Sequence, residues 1–129
     1  VIVVDTNVIT YLLVPGDRTK AAEAWRRRDA EWAAPLLWRS EFRNVLATLI
    51  RLGRIELPIA QAIQEQAEWL LAPLEFAVDS ESVLALAASS GCSAYDCEFV
   101  ALADYLDVPL VSADRKLKAK FGKRVRMLS

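Results

Sequence analysis

The chain has 129 residues, 54% hydrophobic and 26% charged, with a formal net charge of −1 and only four glycines and five prolines. This excludes a disordered chain, a collagen-like repeat and a miniature scaffold held by disulfides, and the length fits one domain over residues 1–129. The histidine count is zero, so Ser-His-Asp and Cys-His relays, imidazole acid–base chemistry and His-ligated zinc are all excluded.

Val1–Val4 is a β-branched run that stops at Asp5, the pattern of a strand buried on both faces of a parallel sheet. Residues 7–13 have helical spacing and Pro15-Gly16-Asp17 ends them. Asp17 is the expected cap of a second helix to about Asp29, with Ala21, Ala22, Ala24 and Trp25 inward. A short strand is expected at 32–34. The spacing of Leu37, Phe42, Val45, Leu46, Leu49 and Ile50 then predicts a helix over 36–52, stopped by Gly53 and carrying Glu41. Further helices are expected at 58–71 and 80–89, with a strand at 74–78 between them and Gly91 as the second helix's stop. Ser93-Ala94-Tyr95-Asp96 opens another helix, 108–112 is a buried strand, 114–121 is a basic helix, and 125–128 is the last strand.

Strands alternating with helices over one short chain predict an α/β fold of three layers, a mainly parallel sheet with helices on both faces. Ligands of such sheets bind beyond the carboxyl ends of the strands. Cys92 and Cys97 are too few for a zinc tetrad and too far apart for a Cys-x-x-Cys motif, so free thiols are expected. There is no leader-like segment and no apolar run that could span a bilayer, so a cytoplasmic protein with no membrane association is expected.

The small net charge hides a sorted pattern. Residues 1–55 hold nine Lys or Arg and six Asp or Glu, residues 56–110 hold ten acids and no base, and residues 111–129 hold seven bases and one acid. Either block alone could be a solvated face; together they suggest carboxylates that hold metal ions beside basic groups that hold a polyanion.

Four acids fall at the ends of elements. Asp5 and Asp114 follow strands, while Glu41 and Asp96 lie near the starts of helices. Each has a plain structural role open to it, as an Asx turn, a helix cap or a dipole partner. Yet all four stand where such folds converge on one sheet edge, and carboxylates brought that close repel unless protonated or shared by a cation. Oxygen ligation without His or Cys favours Mg²⁺ or Mn²⁺. A metal so held lowers the pKa of bound water and neutralises charge on a scissile phosphate, with no need for histidine.

The segments Val3-Val4-Asp5-Thr6-Asn7, Ser40-Glu41-Phe42-Arg43-Asn44-Val45-Leu46, Tyr95-Asp96-Cys97-Glu98-Phe99 through Ala103, and Pro109-Leu110-Val111-Ser112-Ala113-Asp114-Arg115-Lys116-Leu117 span most of the sequence. With them the chain resembles the PIN-domain ribonucleases, in particular the VapC-like toxins of bacterial and archaeal toxin–antitoxin pairs. The resemblance implies an endoribonuclease that hydrolyses RNA to 3′-hydroxyl and 5′-phosphate ends. It implies Asp5, Glu41, Asp96 and Asp114 as the catalytic, Mg²⁺- or Mn²⁺-binding quartet, with Asn7 and Ser112 as polar supports. Some members carry a further acid after the fourth position, where this chain has Arg115, Lys116 and Lys118. Glu98 is the nearest substitute, although a helix would turn it away from Asp96, and a second metal is expected to bind weakly or only with substrate. Lys116, Lys118, Lys120 and Arg124, with Arg39 and Arg43 beside Glu41, are the candidates for holding RNA phosphates. A homodimer and a cognate antitoxin are the partners the resemblance implies. The four tryptophans are expected mainly in the core, with some Trp and Leu of the first four helices facing a partner.

Two rival readings remain. A phosphatase with an Asp nucleophile after the first strand fits Asp5, but Asp5-Thr6-Asn7 lacks the second acid of an Asp-x-Asp pattern. The other rival is a domain of the same fold that binds RNA or acts as a scaffold without cutting.

Overall fold

The computed structural model describes residues 1–128. Five strands, β1 (Ile2–Val4), β2 (Trp32–Pro35), β3 (Glu75–Phe76), β4 (Leu110–Ser112) and β5 (Val125–Met127), form one sheet in the order β3-β2-β1-β4-β5. Every pairing is parallel, with Val3 opposite Ala33 on one side and Leu110 on the other. β1 is central and buried on both faces, which is why its sequence is an unbroken apolar run.

The helices are α1 (Thr6–Leu13), α2 (Thr19–Arg28), α3 (Leu37–Arg51), α4 (Leu57–Leu71), α5 (Ser80–Ser90), α6 (Ala94–Leu106) and α7 (Arg115–Phe121). Right-handed crossovers place α1–α4, which lead outward to β3, on one face and α5–α7, which lead back to β4 and β5, on the other. In keeping with this, α1 packs on α2, α3 and α4, while α5 packs on α6. The expected three-layer α/β architecture is therefore present. The order reverses between β1 and β4, and that switch point opens the crevice in which the site lies.

Three tryptophans build the core, and each indole N–H finds an acceptor. Trp25 donates to the Leu128 carbonyl at 2.7 Å, Trp32 to the Asp29 carbonyl at 2.9 Å, and Trp38 to Glu75 Oε2 at 2.8 Å. Trp38 also packs on Phe42 with ring centroids 6.1 Å apart. Trp69 is the exception to a placement expected mainly, not wholly, in the core: it lies on the outer side of α4 and is 80% exposed.

Local chemistry moves several boundaries. Asp17 does not cap α2. The Thr19 hydroxyl accepts from the Gly16 amide at 3.0 Å, folding the turn so that the helix begins at Thr19 after Arg18. β3 is two residues long rather than five, because Ala72-Pro73-Leu74 tightens into a 3₁₀ turn before it. Gly91 ends α5 in the left-handed region, φ 75°, and its N–H returns to the Ala87 carbonyl at 3.0 Å. Cys92 and Cys97 are both free, as expected. Among the described residues no helix is long and apolar enough to cross a membrane.

Candidate functional site: an acidic cleft at the switch point

Asp5 is the first residue beyond β1 and is 9% exposed. It also begins α1: its Oδ1 accepts from the Thr6 N–H at 2.8 Å. Its Oδ2 accepts from the fully buried Ser112 hydroxyl at 2.7 Å, and the Asn7 amide lies 3.5 Å from the same oxygen. Ser112 Oγ in turn accepts from the Asp114 N–H at 3.0 Å, and Asn7 Oδ1 accepts from the Ala113 N–H at 3.2 Å. Thus the turn after β4 is tied to the turn after β1 through Asn7 and Ser112. Asp114 caps α7 by accepting from the Lys116 N–H at 2.8 Å.

The other two acids arrive from opposite faces of the sheet. Glu41, in the second turn of α3, accepts from the Thr6 hydroxyl at 2.7 Å. Asp96 lies in the first turn of α6, which is capped by Ser93, whose hydroxyl accepts from the Asp96 N–H at 3.1 Å. Because Ser93 serves the helix end, the Asp96 carboxylate is left to the cleft. The structure brings Asp5, Glu41, Asp96 and Asp114 together on one open cleft of about 430 Å³, whose wall includes Thr10, Tyr11, Asn44 and Val45.

This crowding shows in the proton affinities. Burial pushes the Asp5 pKa up to about 6 from 3.8; its hydrogen bonds from Ser112 and Thr6 resist, and the charges of Glu41 and Asp96 add to the rise. Glu41 is raised by burial, against the Thr6 hydrogen bond and with the charges of Asp96 and Glu98. Asp96 is raised by burial and then by Asp114. The four groups therefore feel one another through a poorly solvated space.

The donor set consists of carboxylate, hydroxyl and amide oxygens, with Cys97 buried elsewhere in the core, and this chemistry suits a hard divalent cation. Among the described residues, however, no three Asp, Glu or Cys side chains already stand at ligand spacing around one point. Asp5 and Glu41 are held instead by hydrogen bonds from Ser112 and Thr6.

Glu98 does not enter this cleft. α6 is regular from Ala94, so two residues carry Glu98 around the helix into a separate groove beside Leu36, Val78 and Leu84. Arg39 is also committed elsewhere: its Nε and Nη2 bind the Glu75 carboxylate at 2.7 Å each, and Nη1 binds Glu68 at 3.0 Å. Lys118 donates to the carbonyls of Gly122 and Val125, closing the end of α7. Arg124 pairs with Asp104 at 2.6 Å and lies over the Phe121 ring. Arg43, Lys116 and Lys120 are exposed.

The sequence reasoning passed over Thr6, Thr10, Tyr11, Asn44 and Val45. A helical stripe carries the signal: positions 7, 10, 11 and 14 on α1, and 41, 44, 45 and 49 on α3, face one groove.

A parallel α/β sheet covered on both faces, with an acidic cleft where its strand order reverses, is the class of protein these features define. The chain belongs to the PIN-domain family, whose sequence model matches residues 2–121. Solved structures with the same fold include PAE2754 from Pyrobaculum aerophilum, at 23% identity and TM-score 0.78, covering 98% of this chain and 90% of that one. A toxin–antitoxin complex from Klebsiella pneumoniae matches at 16% identity and TM-score 0.72, covering 100% and 98%. FitAcB from Neisseria gonorrhoeae matches at 20% identity and TM-score 0.70, covering 100% and 97%. Comparison with curated proteins gives no match.

Proposed function

We propose that this chain is a divalent-cation-dependent endoribonuclease, the toxin of a toxin–antitoxin pair, with Asp5, Glu41, Asp96 and Asp114 as its metal-binding and catalytic acids. The observation that carries the reading is the meeting of these four carboxyl groups, from four separate elements, on one cleft. Membership of a family whose members are generally nucleases supports it. Ser112, Asn7 and Thr6 aim the acids: their hydrogen bonds fix the rotamers of Asp5 and Glu41 before any ligand arrives. These acids would hold Mg²⁺ or Mn²⁺, which would supply Lewis-acid neutralisation of the phosphodiester charge. A cleft carboxylate accepts the proton of the attacking water, and RNA ends as 3′-hydroxyl and 5′-phosphate. Arg43, Lys116 and Lys120 remain candidates for phosphate contacts; Arg39, Lys118 and Arg124 already have partners within the chain.

The partner reading rests on α4. Trp69, 80% exposed on the outer side of α4, is an apolar anchor suited to a second copy of the chain or a cognate antitoxin, and one of the fold neighbours is a toxin–antitoxin complex. The protein is assigned to the cytoplasm on this reading.

The test is purified protein incubated with total RNA and Mn²⁺, with the new ends mapped. Cleavage is expected to vanish in Asp5→Asn and Asp96→Asn while the far-UV circular dichroism stays unchanged. Full activity in excess EDTA contradicts the proposal. Growth arrest on expression, relieved by co-expressing a short DNA-binding protein from the adjoining reading frame, tests the toxin role.

A further inference from the structure

The acidic cleft does not end at its carboxylates. It runs on between α1 and α3 into a second hollow of about 360 Å³, and the two share Thr10, Tyr11 and Val45 as wall. The groove is tiered. Asp5, Asn7 and Glu41 stand at one end; one helical turn along are Tyr11, Asn44 and Val45; beyond these come Val14, Leu49 and Arg18. A turn advances about 6 Å, so Tyr11 sits beside the acids at the reach of a neighbouring nucleoside rather than on the reacting phosphate.

The chemistry of the middle tier differs from that of the acid end. Tyr11 is half-buried, with its ring presented to the groove wall and the Arg18 guanidinium 5.4 Å from its centroid. The Thr10 hydroxyl is spent on the Thr6 carbonyl at 3.0 Å, so the exposed Asn44 amide is the group left to read a polar edge. An aromatic face, an amide and a nearby cation, set next to carboxylates that would otherwise repel a polyanion, match an unpaired base better than they match more phosphate.

Resting on the ribonuclease reading above, we propose that Tyr11 is the stacking platform for an unpaired base adjoining the cleaved phosphodiester, with Asn44 reading its edge and Arg18 holding the ring and offsetting the acidic field. Tyr11 is then a specificity-determining residue.

The experiment uses the full chain in Mn²⁺ and a short single-stranded RNA containing its mapped cut site, with abasic versions on either side of the cut. Tyr11→Ala is expected to lower kcat/KM roughly 5- to 150-fold, the range of a lost base–aromatic stack, and Tyr11→Phe to retain it. Asn44→Ala is expected to broaden the choice of cut site. In the wild type, one abasic substitution is expected to cost as much as Tyr11→Ala, and in Tyr11→Ala it is expected to cost nothing more. A purely structural role for the ring would leave these two losses additive, and additivity overturns the inference. So does an unchanged kcat/KM and cut pattern in Tyr11→Ala, including the case in which that variant loses only a protein partner. Absence of any cleavage by the wild type overturns the ribonuclease reading itself, a distinguishable result. If Tyr11→Ala fails to fold, Tyr11→Leu, which keeps the bulk and lacks the aromatic face, carries the same comparison with the abasic substrates.

Discussion

Asp5 concentrates the conflict between stability and chemistry in one side chain. Folded, it holds its proton up to a pH of about 6, against 3.8 ordinarily. The native state therefore binds the proton more tightly than the unfolded chain does. The stabilisation from that proton is complete below pH 4 and is lost as the pH rises through about 6. Glu41 and Asp96, raised first by burial and then by neighbouring carboxylates, act in the same direction. We expect urea unfolding in EDTA to show stability falling between pH 4.5 and 7, with Asp5 contributing on the order of 2–3 kcal/mol. Asp5→Asn should flatten that slope and raise stability at pH 7, since a neutral amide can still accept from the Thr6 N–H. A slope unchanged in the variant would place the proton elsewhere. The acids themselves could be read from the sequence because they follow apolar runs or open helices. Tyr11 and Asn44 carry only the weaker signal of a helical stripe, and that stripe marks the cleft only once α1 is packed across α3.

At the scale of elements, the contact that fixes α3 beneath the cleft is a charged one. Arg39 grips Glu75 of the edge strand β3 with two hydrogen bonds and reaches Glu68 on α4, while the Trp38 indole shares the Glu75 carboxylate. These bonds hold the Glu75 pKa below its usual range, and the Glu75 side chain is only 8% exposed. Arg39→Ala would leave that carboxylate with the indole alone. We expect a loss of about 1–3 kcal/mol, less than the roughly 3–5 kcal/mol for breaking a fully buried pair because Arg39 is itself partly exposed. The salt dependence of RNA binding should stay as in the wild type, because Arg39 has no charge to spare for phosphate; a flatter salt slope would return it to the RNA surface. The elements that could be read from sequence were those with a long signal. β1 and β4 appear as apolar runs, α3 as a 3.6-residue stripe, and α5 by its glycine stop. The boundaries misjudged were those decided by one local bond or turn: the start of α2, set by the Thr19 hydroxyl, and the length of β3, cut by the turn at Pro73.

The whole molecule reconciles the sorting of charge along the sequence. Of the ten acids in residues 56–110, Glu68 and Glu75 pair with Arg39, Asp104 pairs with Arg124, Asp79 caps α5, and only Asp96 lines the acidic cleft. Some of the charge segregated in sequence is thus matched in space, through the ion pairs of Glu68, Glu75 and Asp104, while no Lys or Arg among the described residues lines the acidic cleft. There Glu41 comes from the α1–α4 layer, Asp96 from the α5–α7 layer, and Asp5 and Asp114 from the sheet between them. A cation held by this set joins all three layers while removing the repulsion that separates them, so its binding is coupled to global stability and not to a local loop. At a cation concentration of 100 times Kd, linkage gives about 2.7 kcal/mol, and for a domain of this size that is a rise in Tm of roughly 10 °C. We therefore expect EDTA-stripped protein to melt progressively higher as Mn²⁺ is added. Asp5→Asn and Asp96→Asn should each lose most of the rise, whereas Lys120→Ala, on the exposed side of α7, should keep it. If Asp5→Asn rises as far as the wild type, the ion is bound somewhere other than between these layers.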